Sequence, residues 1–135
     1  MKPALIDTDI LSMFFRDHSI VKVRFQAYLK EHSKINLSII TYYEIVSGLK
    51  HRDARKQLDV FLDFAKGNII FPLNENSVMI SSEIYADLRK QGKPIDDIDI
   101  FIAGIAMAND LVLVTHNLAD FGKIEQLTVE DWSTQ

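Results

Sequence analysis

Pro94–Phe121, PIDDIDIFIAGIAMANDLVLVTHNLADF, decides the reading of this 135-residue chain. Three carboxylates, Asp96, Asp97 and Asp99, stand directly ahead of an apolar run rich in small residues. The run predicts a helix ending near Asn109, then a strand over Leu111–Val114 that closes on Thr115, His116 and Asn117. Acidic groups at a helix start and polar groups at the next strand's end would converge on one edge of a sheet. In an open α/β sheet that edge is where ligands bind.

Working outward, the same alternation recurs. Ala4-Leu5-Ile6 reads as a short buried strand, and Asp7-Thr8-Asp9 offers N-cap chemistry for a helix through Phe15. Ser19 is the expected cap of the next helix, with Val21, Phe25, Tyr28 and Leu29 on one face. Ile35-Asn36-Leu37 is a second strand, followed by Ser38 to Thr41 and a helix to about Leu49; Gly48 reads as a stop or a point of close packing. A further amphipathic helix turns Ala54, Leu58, Phe61, Leu62 and Ala65 inward and stops at Gly67. Asn68–Pro72 gives a third strand, Asn74 caps a helix through Lys90 that Gly92 ends, and Leu127-Thr128-Val129 is a candidate edge strand. Short apolar strands alternating with helices specify βαβ units, hence a parallel sheet covered on both faces. No linker, repeat or low-complexity segment interrupts residues 1–135, so one domain is expected.

Composition narrows the function. Apolar residues make up 47% and charged residues 25%, as in ordinary soluble globular proteins. With no cysteine, a disulfide framework, a zinc–thiolate site and a thiol nucleophile are all excluded. No apolar run approaches the roughly 20 residues that span a bilayer, and Asp7 comes too early for a secretory signal; a cytoplasmic protein without membrane contact is expected. A net charge of −4 argues against a broad electrostatic grip on nucleic acid. Any polyanion would be held locally, by metal ions or by the basic clusters Arg16/Lys22/Arg24, Lys50-His51-Arg52 with Arg55 and Lys56, and Arg89/Lys90/Lys93.

Three acidic positions share a structural address. Asp7 ends the first strand, Glu44 falls in the first turn of the helix after the second, and Asp96 and Asp99 begin the helix before the fourth. Carboxylates this close repel unless a cation neutralises them, and an all-oxygen set suits Mg²⁺ or Mn²⁺ with substrate phosphate. Metal-assisted phosphodiester hydrolysis is the chemistry that follows. A purely structural reading stands beside it: Thr41 to Glu44 has the form of a capping box, and Asp96 to Asp99 nearly repeats it at a helix start that favours acids. Thr115 and Asn117 read either as groups that position water or phosphate or as turn residues. His51 and His116 read as solvated, Trp132 as a packing anchor, and Asp120 and Phe121 as a turn with its apolar plug.

Taken in order, LIDTDILS, TYYEIVSGL and IDDIDIFIAGIAMANDLVLVTHNLADF resemble the PIN-domain ribonucleases, in particular the VapC-type toxins of prokaryotic toxin–antitoxin pairs; the likeness runs from Leu5 to Phe121. The resemblance implies a five-stranded parallel sheet flanked by helices and an endoribonuclease dependent on Mg²⁺ or Mn²⁺. It also implies a homodimer inhibited by a small VapB-like antitoxin that inserts a segment near the active-site groove. By position Asp7, Glu44 and Asp99 match the family's first three acidic ligands, and Asp96 an additional acid found in some members. Asn117 stands where the usual fourth acid falls, supplying an oxygen without a charge, and Asp96 is a candidate to compensate. Asp9 stands where Asn is commoner and either adds charge or caps the helix. In the implied mechanism Asp7 and Asp99 hold the metal, Glu44 binds it or orients water, and Thr115 and Asn117 position water or phosphate.

Two rival functions remain at this level. Asp7-Thr8-Asp9 after an apolar strand also looks like the nucleophile motif of haloacid-dehalogenase-type phosphatases, which need a later lysine and acidic pair that Phe71-Pro72-Leu73 does not supply. A response-regulator receiver would need an Asp at the end of the third strand. The other rival is a catalytically inactive PIN-like module that only binds a partner.

Overall fold

Each inner strand is three residues long, and alternation along those three residues builds two separate cores. The computed structural model describes residues Met1–Gln135. Its strands are β1 (Ala4–Ile6), β2 (Asn36–Ser38), β3 (Ile69–Phe71), β4 (Val112–Val114) and β5 (Val129–Glu130). All pair in parallel, in the order β3-β2-β1-β4-β5. The helices are α1 (Thr8–Phe15), α2 (Ser19–Glu31), α3 (Ile39–His51), α4 (Arg55–Lys66), α5 (Glu75–Lys90), α6 (Asp97–Ala108) and α7 (Leu118–Phe121).

Successive strand side chains point to opposite faces. Ala4 and Ile6 of β1, with Val112 and Val114 of β4, therefore join the core under α1, α2 and α4 that includes Phe25, Tyr28, Phe61 and Trp132. Leu5 and Leu113 enter the opposite core, filled by α5, α6 and Phe121. The expected three-layer α/β sheet of five parallel strands is thus present. Against the second face α5 and α6 approach so closely that a Cβ on Gly104 would lie 2.0 Å from Ser81 Oγ and 2.8 Å from the Ser77 carbonyl. No helix is long and apolar enough to cross a membrane.

Local details depart from the sequence reading, each for a physical reason. Ser38 rather than Thr41 caps α3: its hydroxyl accepts from the Thr41 N–H at 3.0 Å. The Thr41–Glu44 capping box is therefore absent, and Glu44 lies in the second helical turn. His18 Nδ1 caps α2 in place of Ser19, accepting from Val21 N–H at 3.3 Å. Leu29 is 40% exposed, because a two-turn stripe through Val21, Phe25 and Tyr28 leaves it on the flank. Gly48 is neither a stop nor a close contact: α3 runs on to His51, and a Cβ there would meet nothing within 4 Å. Asp120 and Phe121 belong to a short helix rather than a turn, with Phe121 buried as its plug. The edge strand β5 begins two residues later than read and ends one later, with Leu127 in the core and Trp132 buried edge-to-face on Phe25.

Candidate active site

The chain builds outward from β1 to β2 and β3, then crosses to the other side for β4 and β5. The order reverses between β1 and β4, and the crevice at their carboxyl ends is where such sheets bind ligands. Ile6 is level with Val114, so the next residues, Asp7 and Thr115, face each other across it. Asp7 N–H donates to the Val114 carbonyl at 2.9 Å, continuing the ladder. Its side chain caps α1, accepting from Thr8 N–H at 2.8 Å through Oδ1 and from the Thr115 hydroxyl at 2.8 Å through Oδ2.

Asp7 is 6% exposed, and no lysine, arginine or histidine pairs with it, nor with Asp9, Glu44 or Asp99. Burial, reinforced by the charge of Asp9 and to a lesser extent Asp99, pushes the Asp7 carboxyl up to about 7, against the two hydrogen bonds that favour its ionised form. Burial raises Asp99 to about 6, with Asp120, Asp96, Glu44 and Asp9 adding repulsion in that order. Burial also raises Asp9, whose carboxylate accepts from the N–H groups of Ile10 and His116. The carboxylates at the start of α1 and those of α3, α6 and α7 therefore feel one another across a single crevice.

The sequence-predicted residues take distinct parts. Asp96 is the exposed N-cap of α6, its Oδ1 3.4 Å from Ile98 N, and Asp99 sits one turn in, on the protein side. Glu44 Oε1 accepts from the Thr8 hydroxyl at 2.6 Å, and that hydroxyl lies 3.0 Å from Thr41 Oγ1. Thr115 is fully buried; its hydroxyl donates to Asp7 and accepts from Asn117 N–H at 3.0 Å, so it fixes a carboxylate rather than facing a substrate. Asn117 caps α7 and its amide donates to Asp120 Oδ2 at 3.2 Å.

Three participants were not picked out from the sequence. Thr8 tethers Glu44. Asp120, read as a turn residue, is the foremost charge acting on Asp99. His116 is fixed at the rim: Nδ1 lies 2.9 Å from both Asp131 Oδ2 and Ser133 Oγ, while the Ser133 hydroxyl donates to Asp131 Oδ1 at 2.6 Å. With the serine proton spent on Asp131, Nδ1 carries the imidazole proton. Asp120 sits three residues past Asn117, a spacing at a helix start that could have exposed it; nothing local marks Thr8 or Asp131.

No three of these side chains close on one point as an all-protein cage would. Mg²⁺ does not require that, since it keeps several waters and takes one or two carboxylates plus substrate phosphate. Exclusively oxygen donors, one of them buried and none of Asp7, Asp9, Glu44 and Asp99 paired with a cation, fit a hard divalent ion and none of the softer metals.

A doubly covered parallel sheet with uncompensated carboxylates at its switch point defines an acidic-centre α/β protein. The PIN domain family model matches residues 4–126, and the chain belongs to that family. It is 28% identical over 131 residues to the tRNA(fMet)-specific endonuclease VapC of Shigella flexneri, and 26% identical over 133 residues to Ribonuclease VapC1 of Haemophilus influenzae strain R2866, each match covering 96% of this chain and 97% of the relative. Among solved structures, DNA-bound VapBC from Salmonella typhimurium contains a chain that superposes with a TM-score of 0.85 at 27% identity, covering 98% of this chain and 99% of that one.

Proposed function

We propose that this protein is a divalent-metal-dependent endoribonuclease of the VapC type, the toxin of a toxin–antitoxin pair. The observation that carries the reading is the buried, cation-free carboxylate of Asp7 at the switch point, in electrostatic reach of Asp9 and Asp99. Asp7 and Asp99 hold Mg²⁺ or Mn²⁺, with Asp96 at the outer edge and Asp120 supplying the charge that Asn117 lacks. When bound, such an ion offsets charge developing on a phosphodiester and acidifies nearby water. Thr115 holds Asp7 in one rotamer, Asn117 does the same for Asp120, and Glu44, tethered by Thr8, orients water toward phosphorus.

The tether is testable. Thr8→Val removes the 2.6 Å bond to Glu44 while keeping side-chain volume. It is expected to lower kcat/KM for RNA roughly 10- to 100-fold, the usual cost of losing a group that orients a site ligand, with circular dichroism unchanged.

A cytoplasmic site of action accords with an RNA substrate. Its partners, on this reading, are a small VapB-like antitoxin and a second copy of the chain; similarity to a chain of a VapBC complex supports the first. A phosphatase using Asp7 as nucleophile would need a lysine at that carboxylate, and no cationic side chain pairs with it. Incubation with defined structured and unstructured RNAs, in EDTA or in millimolar Mg²⁺ or Mn²⁺, tests the proposal. Internal cleavage is expected only with the ion. Absence of both cleavage and calorimetric ion binding would instead identify a binding module.

A further inference from the structure

Two basic segments far apart in the sequence meet across one groove. A cavity of about 560 Å³ between α1, α3 and α4 is bounded by Thr8 and Glu44, the tethered pair of the acidic centre, and by Arg16, Arg52 and Lys56. Thr8 opens α1 and Arg16 follows its last residue; Glu44 lies as many residues before Arg52 along α3. Each helix therefore carries the groove about 12 Å from carboxylates to cations at 1.5 Å per residue. The three cations are exposed and none forms an ion pair. The other basic clusters are partly committed: Lys22 to Asp17, Arg24 to the Thr134 carbonyl, and Arg89 to the Tyr85 ring.

We propose that this groove carries the backbone of single-stranded RNA away from the cleavage point, with Arg16, Arg52 and Lys56 taking phosphates a few nucleotides from the scissile bond. The inference rests on the nuclease reading and adds to it a direction and a strandedness. Free cations on a protein of net charge −4 mark where a polyanion is held locally. Phe15 and Val60, the latter 56% exposed, form an apolar wall on which unpaired bases can rest, a surface of no use to a duplex whose bases are already stacked. An acidic peptide could meet the cations too, but it would bring no phosphate to the Glu44 end, where a hard ion takes one.

The test uses the Asp7→Asn protein, which on the nuclease reading binds RNA without cutting it, and a fluorescent unpaired RNA oligonucleotide titrated between about 50 and 200 mM salt. Adding Arg16→Gln, Arg52→Gln and Lys56→Gln is expected to weaken binding at least tenfold. It should also flatten the slope of log K against log salt by about 2, from roughly 0.7 per phosphate contact. Should the triple variant misfold, Arg52→Gln with Lys56→Gln should flatten it by about 1.4. Unchanged affinity and slope would overturn the proposal, whether the variants merely melt earlier, as helix-end cations would, or lose an acidic peptide while keeping RNA. Failure of the nuclease reading looks different: the protein carrying native Asp7 would bind RNA through these cations yet leave it intact in Mg²⁺ and Mn²⁺. Cleavage by that protein, with no effect of the three substitutions on affinity, would remove the groove alone.

Discussion

Asp7→Asn is expected to reduce metal-dependent RNA cleavage by roughly a thousandfold or more, while leaving a folded protein. The residue is the only carboxylate of the group built into the sheet's own ladder, through its N–H to Val114, so its position does not depend on a mobile loop. Replacing its charge with an amide removes the anion that would anchor the ion. Losing metal-derived stabilisation of phosphodiester charge, about 4 kcal/mol, corresponds to about three orders of magnitude in rate. The amide oxygen can still accept from Thr8 N–H, so the cap of α1 survives; only the Thr115 hydroxyl must find a new acceptor. Single-turnover cleavage of a defined RNA by the two proteins, at matched secondary structure, measures the ratio. Ion-dependent cutting at the wild-type rate by Asp7→Asn would show that the acidic centre is not the active site.

Residues at strand ends were legible in the sequence because a parallel sheet gives them an address. An apolar triplet followed by Asp7, or by Thr115, places a polar group at the carboxyl edge whatever the surrounding helices do. Asn74 was equally legible as a cap, since its bonds to Ser77 are local. Glu44 was misplaced within its helix because Ser38 and Thr41 are both competent caps, and the choice between them fell to tertiary packing: Thr41 is drawn beneath Thr8, into full burial. Thr8–Glu44, Asn117–Asp120 and His116–Asp131 are contacts between side chains, and no spacing rule fixes the first and last of them. The groove cations are the extreme case. Arg16 and Lys56 stood in separate basic clusters, and only the crossing of α1, α3 and α4 brings them together.

The same uncompensated charge sets a pH dependence opposite to that of most carboxylates. A folded-state pKa of about 7 for Asp7, against about 3.9 in the unfolded chain, means the native state holds more protons between those values. Metal-free stability contributed by this group is therefore present in acid, declines as pH rises from about 4 to about 7, and stays low above that. Asp99, raised to about 6, works in the same direction. Asp7→Asn removes the larger effect. Near pH 4 the variant and wild type should unfold at similar denaturant concentrations, and by pH 8 the variant should be more stable by up to about 4 kcal/mol, the full equivalent of the shift. Millimolar Mg²⁺ or Mn²⁺ should narrow that gap from the other side. An ion that binds only the folded wild type, at a hundred times its Kd, adds about 2.7 kcal/mol, and because its ligands must be ionised the gain should fade as pH falls below about 7 and be largely gone by about pH 5. Urea unfolding of both proteins from pH 4 to 8, in EDTA and with the ion, reads all of this. A variant that loses ground to wild type as pH rises, or an ion effect equal at both ends of the range, would mean that Asp7 is not the buried, unpaired anion on which the site depends.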